Sequence, residues 1–189
     1  MTGSQQVDDG SALQPWMIHG ERVVYDSRWV RLSLVDVEPP GSEPFEHHVV
    51  RLFRVAVAAV IDDSDRVLML WRYRFVPGRF GWELPGGVVE DSEDPAEAAA
   101  RETEEETGWR PVRPLRHLLT FQPMVGMVDS EHVVFVGRDP EKIGEPTEAN
   151  EADRIEWVPL ASVPELIDSG QIWNAGTLIA LLRALAKGS

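Results

Sequence analysis

Residues 94 to 108, DPAEAAARETEEETG, constrain the fold more than any other segment. Asp94 before Pro95 suits an N-cap followed by a first helical residue. Gly108 suits a left-handed stop. Together they predict a helix from Asp94 to about Thr107. Ala96, Ala99, Ala100, Thr103 and Thr107 recur at spacings of three and four, a stripe of small, weakly polar side chains. A stripe of that kind packs closely on a sheet, so the chain is expected to layer helix on sheet.

The other side of the same helix is acidic. The segment GGVVEDSEDPAEAAARETEEETGW, residues 86 to 109, carries nine carboxylates and one cation, Arg101. Like charges at helical spacing repel by roughly 0.2–0.5 kcal/mol per pair. A solvated acidic face is the plain account of such a run. The sharper account is divalent metal. At about 100° per residue, Glu102, Glu105 and Glu106 fall within roughly 100° of arc. They flank the small-residue stripe and so point along the edge of the sheet contact. Hard divalent cations take carboxylate oxygens, water and phosphate. Gly86 and Gly87 let the backbone turn tightly and expose a carbonyl toward the same place. Arg101 can orient a glutamate by charge-assisted hydrogen bonds.

The rest of the chain is strand-rich. Arg22 to Glu38 reads as extended, with Val30, Leu32 and Leu34 alternating against Arg31 and Ser33. PPGSEP (39–44) is a turn, and FEHHVVRLFR pairs back as a hairpin. FRVAVAAVI (53–61) is a nearly continuous apolar run, as in a strand buried on both faces. RVLMLWRYRF follows as a strand, VPGRFG as a loop, and WELPGG as a short strand ending in glycines. LRHLLTFQ, HVVFVGR and RIEWVPL are further strands, and ASVPELIDSG and NAGTLIALLRALA are two helices. Strands, helix, strands and helices in that order predict an α/β fold with a mixed sheet and helices on its faces. Residues 1–15 are expected to form a disordered tail, 16–52 an N-terminal β extension and 53–189 the main domain.

Charge and composition exclude several classes. The formal net charge is −14, and such a surface repels nucleic acid. An anionic small molecule needs bound cations or placed arginines to enter. The absence of cysteine removes disulfides, thiolate metal sites and cysteine nucleophiles, and suits a cytoplasmic protein. The sequence holds no apolar run of membrane-spanning length and no basic start followed by an apolar stretch, so neither a membrane nor a secretory signal is expected.

Gly87, five residues, Glu93, seven residues, then Arg101-Glu102-Thr103-Glu104-Glu105-Glu106-Thr107-Gly108-Trp109 resembles the Nudix box. That box asks for G, five residues, E, seven residues and R-E-U-x-E-E-x-G-U, with U bulky and apolar. Every charged and glycine position matches. Thr103 stands where an aliphatic residue is usual, and it lies in the packing stripe. The resemblance implies a Nudix-type α/β/α sandwich and metal-dependent hydrolysis of a nucleoside diphosphate linked to another moiety. It implies that Glu102, Glu105 and Glu106 bind Mg2+ or Mn2+ with the carbonyl of Gly86. It gives Gly87, Glu93, Arg101 and Gly108 structural work in the motif. Bound metal would neutralise the diphosphate and activate water.

Outside the box, RYRFVPGRFGWELPGG (72–87) resembles the ADP-ribose and nucleotide-sugar pyrophosphatase branch, with Arg72 where Gln is common and Gly86 where Ala is common. LFRVAV stands where that branch usually has proline and glycine. The resemblance implies ADP-ribose cleavage to AMP and ribose 5-phosphate. It makes Arg74 a phosphate or ribose contact and Pro123 a substrate neighbour, and it makes the N-terminal strands a homodimer interface. Trp29 is the candidate for stacking a base, with packing as its other account. A late loop glutamate, Glu148 or Glu151, would be the general base, and Glu151 is preferred because it lies nearer the following strand. Other Nudix pyrophosphatases and a non-catalytic ADP-ribose sensor stay open as alternatives.

Overall fold

The computed structural model describes residues 14–112, 114–148 and 152–187, in two compact units that part between Arg51 and Leu52. The first unit contains three antiparallel strands, β1 (Met17–Asp26), β2 (Arg31–Glu38) and β3 (Phe45–Arg51), paired in sequence order. The buried face of β2 is Ser33, Val35 and Val37, with Leu32 and Leu34 only half-buried. The expected face was the other one. Val35 and Val37 flank Asp36, and the two-residue period then carries Ser33 inward with them.

The second unit is built on a seven-stranded mixed sheet. Its strands are β4 (Val55–Ile61), β5 (Arg66–Arg74), β6 (Arg79–Glu83), β7 (Gly86–Val88), β9 (Arg116–Phe121), β11 (His132–Arg138) and β13 (Arg154–Pro159). The order is β13-β5-β4-β11-β9, with β6 added on β5 and β7 on β4. Outside it, β8 (Trp109–Arg110) pairs with β12 (Glu141–Lys142); β10 is Val128–Asp129. β11 runs parallel to β4, whereas β9 and β13 are antiparallel to their neighbours.

The apolar run of β4 explains the layering. Ala56, Ala58 and Val60 join Leu68, Phe135 and the alanines of α1 (Pro95–Thr107) in one core. Val57, Ala59 and Ile61 join Met69, Val134 and residues of α2 (Val163–Asp168) and α3 (Ala175–Lys187) in another. Alternation along one strand thus feeds both faces, which gives the expected α/β/α sandwich. Each fully buried large aliphatic side chain contributes about 1.5–3 kcal/mol.

The helix α1 is stopped at both ends as its sequence requires. The Asp94 carboxylate accepts from the N–H groups of Ala96 and Glu97, and Gly108 adopts φ 69° with its N–H bonded to the Glu104 carbonyl. Thr103 is fully buried, and its hydroxyl donates to the Ala99 carbonyl at 2.7 Å. A threonine therefore fits the stripe without an unpaired polar group. One stretch differs from expectation. VPGRFG is not all loop, because the chain turns only over residues 75–78 and Arg79 already begins β6. Pairing with β5 and stacking of Phe80 on Trp71 at 6.0 Å make it a strand, which local composition does not reveal. Among the described residues no helix is long and apolar enough to cross a membrane.

Candidate active site

The packing of α1 on the sheet brings Glu106 against the turn that enters β7. The Gly86 N–H donates to Glu106 Oε2 at 2.9 Å, and Arg72 Nη2 donates to Glu106 Oε1 at 2.7 Å. Both Glu106 and Arg72 are buried, at 3% and 4% exposure. Glycine is required at Gly86. A Cβ on Gly86 would lie 2.4 Å from the Ala56 carbonyl oxygen, and one on Gly87 would lie 2.5 Å from the Glu102 carboxylate. The two glycines thus admit strand and glutamate into the same space.

Three carboxylates converge there. One oxygen from each of Glu102, Glu106 and Glu148 lies within 4.8 Å of the others. Glu148 arrives from the loop before β13, which is tied to the end of α1. The N–H groups of Thr147 and Glu148 both donate to the Glu105 carbonyl, at 2.9 and 3.2 Å. Glu105 itself is not in this group. Its carboxylate accepts from Arg101 Nη1 at 2.9 Å. A shared helical arc placed it with Glu102 and Glu106; in the structure it shares Arg101, four residues earlier, with Glu102 and lies outside the converging group.

Arg101 is the hub of the motif. It donates to Glu93, Glu102, Glu105 and the Val88 carbonyl. It binds the loop after β7 to the helix and holds the Glu93 carboxyl below its ordinary value. The converging acids are shifted the other way. Burial pushes the Glu106 carboxyl up to about 7, against the pull of Arg72 and the Gly86 N–H. Burial also raises Glu102. Carboxylates crowded out of water favour either a proton or a cation. An all-oxygen donor set of this kind fits a hard divalent ion.

The other candidates are spread more widely. Arg74 donates to both carboxylate oxygens of Glu83, with Nη2 to Oε2 at 2.6 Å. Glu83 is buried and Arg74 half-exposed. Pro123 lies exposed on the loop after β9. Trp29 lies in the first unit, exposed on the turn between β1 and β2, with the Arg28 guanidinium 4.2 Å from its ring centroid. Glu151 lies outside the described residues. Sequence reasoning missed Glu83 and the part Arg72 plays. The signal was available in both cases, a charged residue inside an apolar strand pattern.

A family model described as the NUDIX domain matches residues 52–180. The chain belongs to the Nudix hydrolase family. This Nudix protein is 52% identical, over 173 residues that make up 92% of it and 84% of its relative, to the CMP-5'-(N-acetyl-N-hydroxy-3-aminopropyl)phosphonate hydrolase of Streptomyces rubellomurinus. It is 26% identical to the ADP-ribose pyrophosphatase of Bacillus subtilis over 160 residues, 84% of this chain and 86% of that one. A crystal structure of an ADP compounds hydrolase superposes with a TM-score of 0.81 at 20% identity, covering 94% of this chain and 97% of the other. That likeness shows the fold. As a Nudix enzyme the chain is a pyrophosphohydrolase acting on a nucleotide-type small molecule, in a family that typically uses divalent metal.

Proposed function

We propose that this enzyme hydrolyses the anhydride joining a nucleoside 5'-monophosphate to a second phosphorus group, and that a nucleotide-linked phosphonate is its foremost substrate class. The observation that carries the reading is the convergence of Glu102, Glu106 and Glu148 within 4.8 Å beside the Gly86–Gly87 turn. The choice of phosphonate draws on the 52% identity to a hydrolase of a CMP-linked phosphonate. ADP-ribose, cleaved to AMP and ribose 5-phosphate, is the second reading, supported by the 26% identity to an ADP-ribose pyrophosphatase.

In this reading Glu102, Glu106 and the Gly86 carbonyl hold Mg2+ or Mn2+, and Glu105 offers a further ligand at the exposed margin. The ion, when bound, neutralises the anhydride and lowers the pKa of the attacking water. Glu148, on an exposed loop, takes the proton from that water; Glu151 is the other loop acid for this work. Water adds at phosphorus, the bridging P–O bond breaks, and the second phosphorus group leaves with the bridging oxygen. Arg74, aimed by the buried Glu83, meets the substrate's anionic groups. Pro123 borders the substrate and Trp29 offers a flat face to the base. The homodimer forms through the N-terminal strands, whose Met17, Ile18, Val23 and Tyr25 are exposed.

The test is kcat/KM, with Mg2+, for a CMP-linked aminoalkylphosphonate, ADP-ribose, a nucleotide sugar and a nucleoside triphosphate. The nucleotidyl phosphonate should lead by about tenfold or more, the selectivity a few directed polar contacts give. Preference for the triphosphate, with release of pyrophosphate, would contradict the reading.

A further inference from the structure

Arg72 is the cation in direct contact with the site's most buried carboxylate. Its Nη2 lies 2.7 Å from Glu106 Oε1 while the Gly86 N–H occupies Oε2 at 2.9 Å. Arg72 is 4% exposed, as buried as Glu106 itself. It comes from β5, where its backbone pairs with Gly81 of β6. The charge it adds is held against Glu106, one of the three acids that converge. Two like charges at such range repel strongly where water is excluded, and a fixed cation competes with a mobile one for the same carboxylate.

We infer that Arg72 is a positioning residue, an internal counter-cation that holds Glu106 in place and weakens divalent-ion binding in the free enzyme, so that the ion arrives with the anionic substrate. This rests on the proposal that Glu102 and Glu106 hold metal. In the free chain, the Arg72 guanidinium occupies Glu106 Oε1. Once a diphosphate-like group enters, its negative charge offsets the repulsion between Arg72 and the ion. The result is metal loading that follows substrate.

The experiment is Mn2+ binding to the substrate-free chain, read by electron paramagnetic resonance of the free ion. It needs no turnover. The Arg72→Gln variant should bind Mn2+ at least about tenfold tighter than wild type, as expected for removal of a nearby like charge, and Arg72→Lys should stay within about threefold. Removing one partner of a buried pair can cost the fold, so a second comparison avoids the unpaired acid. Arg72→Gln/Glu106→Gln should bind Mn2+ tighter than Glu106→Gln alone. Equal or weaker binding by a folded Arg72→Gln, or a double variant no tighter than Glu106→Gln, overturns the inference while leaving the metal site standing. A wild-type chain that binds no Mn2+ even with a non-hydrolysable nucleotide present overturns both.

Discussion

Gly86 and Glu106 are 20 residues apart in the chain and joined by one hydrogen bond, 2.9 Å from the glycine N–H to Glu106 Oε2. That bond fastens the helix that carries the acids to the turn that faces them. With Arg72 on the other oxygen, it leaves Glu106 a single orientation, directed toward Glu102 and Glu148.

Replacing Glu106 by Gln keeps the shape and removes the charge. Turnover should fall by about 10²-fold or more, the loss typical when one group that stabilises transition-state charge is removed. Circular dichroism and the thermal midpoint should show an intact fold. Near wild-type turnover in a folded variant would remove Glu106 from the site.

Gly87→Ala probes the space between turn and helix. Its Cβ would stand 2.5 Å from the Glu102 carboxylate, so Glu102 must move. Displacing a ligand or its support typically costs about 10–100-fold in metal affinity or activity. The Mn2+ titration should show that loss with little change in stability. A variant with unchanged affinity would mean that Glu102 is not a ligand.

Arg101→Ala leaves Glu93, Glu102 and Glu105 without their shared partner. Loss of charge-assisted hydrogen bonds in a partly exposed network should lower unfolding stability by roughly 1–3 kcal/mol, measured by urea denaturation. Mn2+ should restore part of it by supplying positive charge to Glu102. A variant as stable as wild type would make the hub incidental.

The raised Glu106 carboxyl makes a pH prediction. Its folded value of about 7 stands above the ordinary 4.5. Between those values the folded chain holds a proton that the unfolded chain has released. The stability contributed is fully present below about 4.5 and lost as pH rises through about 7. His132, lowered by burial, acts in the opposite sense over part of that range, so Glu106→Gln is the reference. The metal-free wild type should lose thermal stability relative to Glu106→Gln between about pH 5 and 8. Parallel curves for the two proteins would contradict the raised value.

What the sequence disclosed was local. Asp94, Pro95 and Gly108 bound the helix because caps act on their own neighbours, and the 100° step sets Glu102 beside Glu106. It could not separate Glu105 from them, since the arc is shared and Glu102 and Glu105 accept from the same Arg101 nitrogen. It placed a short strand at Trp82 but could not show that it begins at Arg79, because the Pro- and Gly-containing VPGRFG gains its ladder from β5. Nor could it pair Arg72 with Glu106 across 34 residues or Arg74 with Glu83. Those contacts exist only once α1 and β6 have packed on β5 and its neighbours. The place of Glu148 in the acidic group goes with backbone bonds to the Glu105 carbonyl, which no residue type announces.

The measurement that tests the central claim most directly is phosphorus NMR of a CMP-linked phosphonate and of ADP-ribose incubated with the enzyme, with Mg2+ and with a chelator. The account expects nucleoside monophosphate and a free phosphonate or sugar phosphate to appear with Mg2+ and neither to appear with the chelator. Cleavage that persists in chelator, or no monophosphate from either compound with Mg2+ or Mn2+, would contradict it.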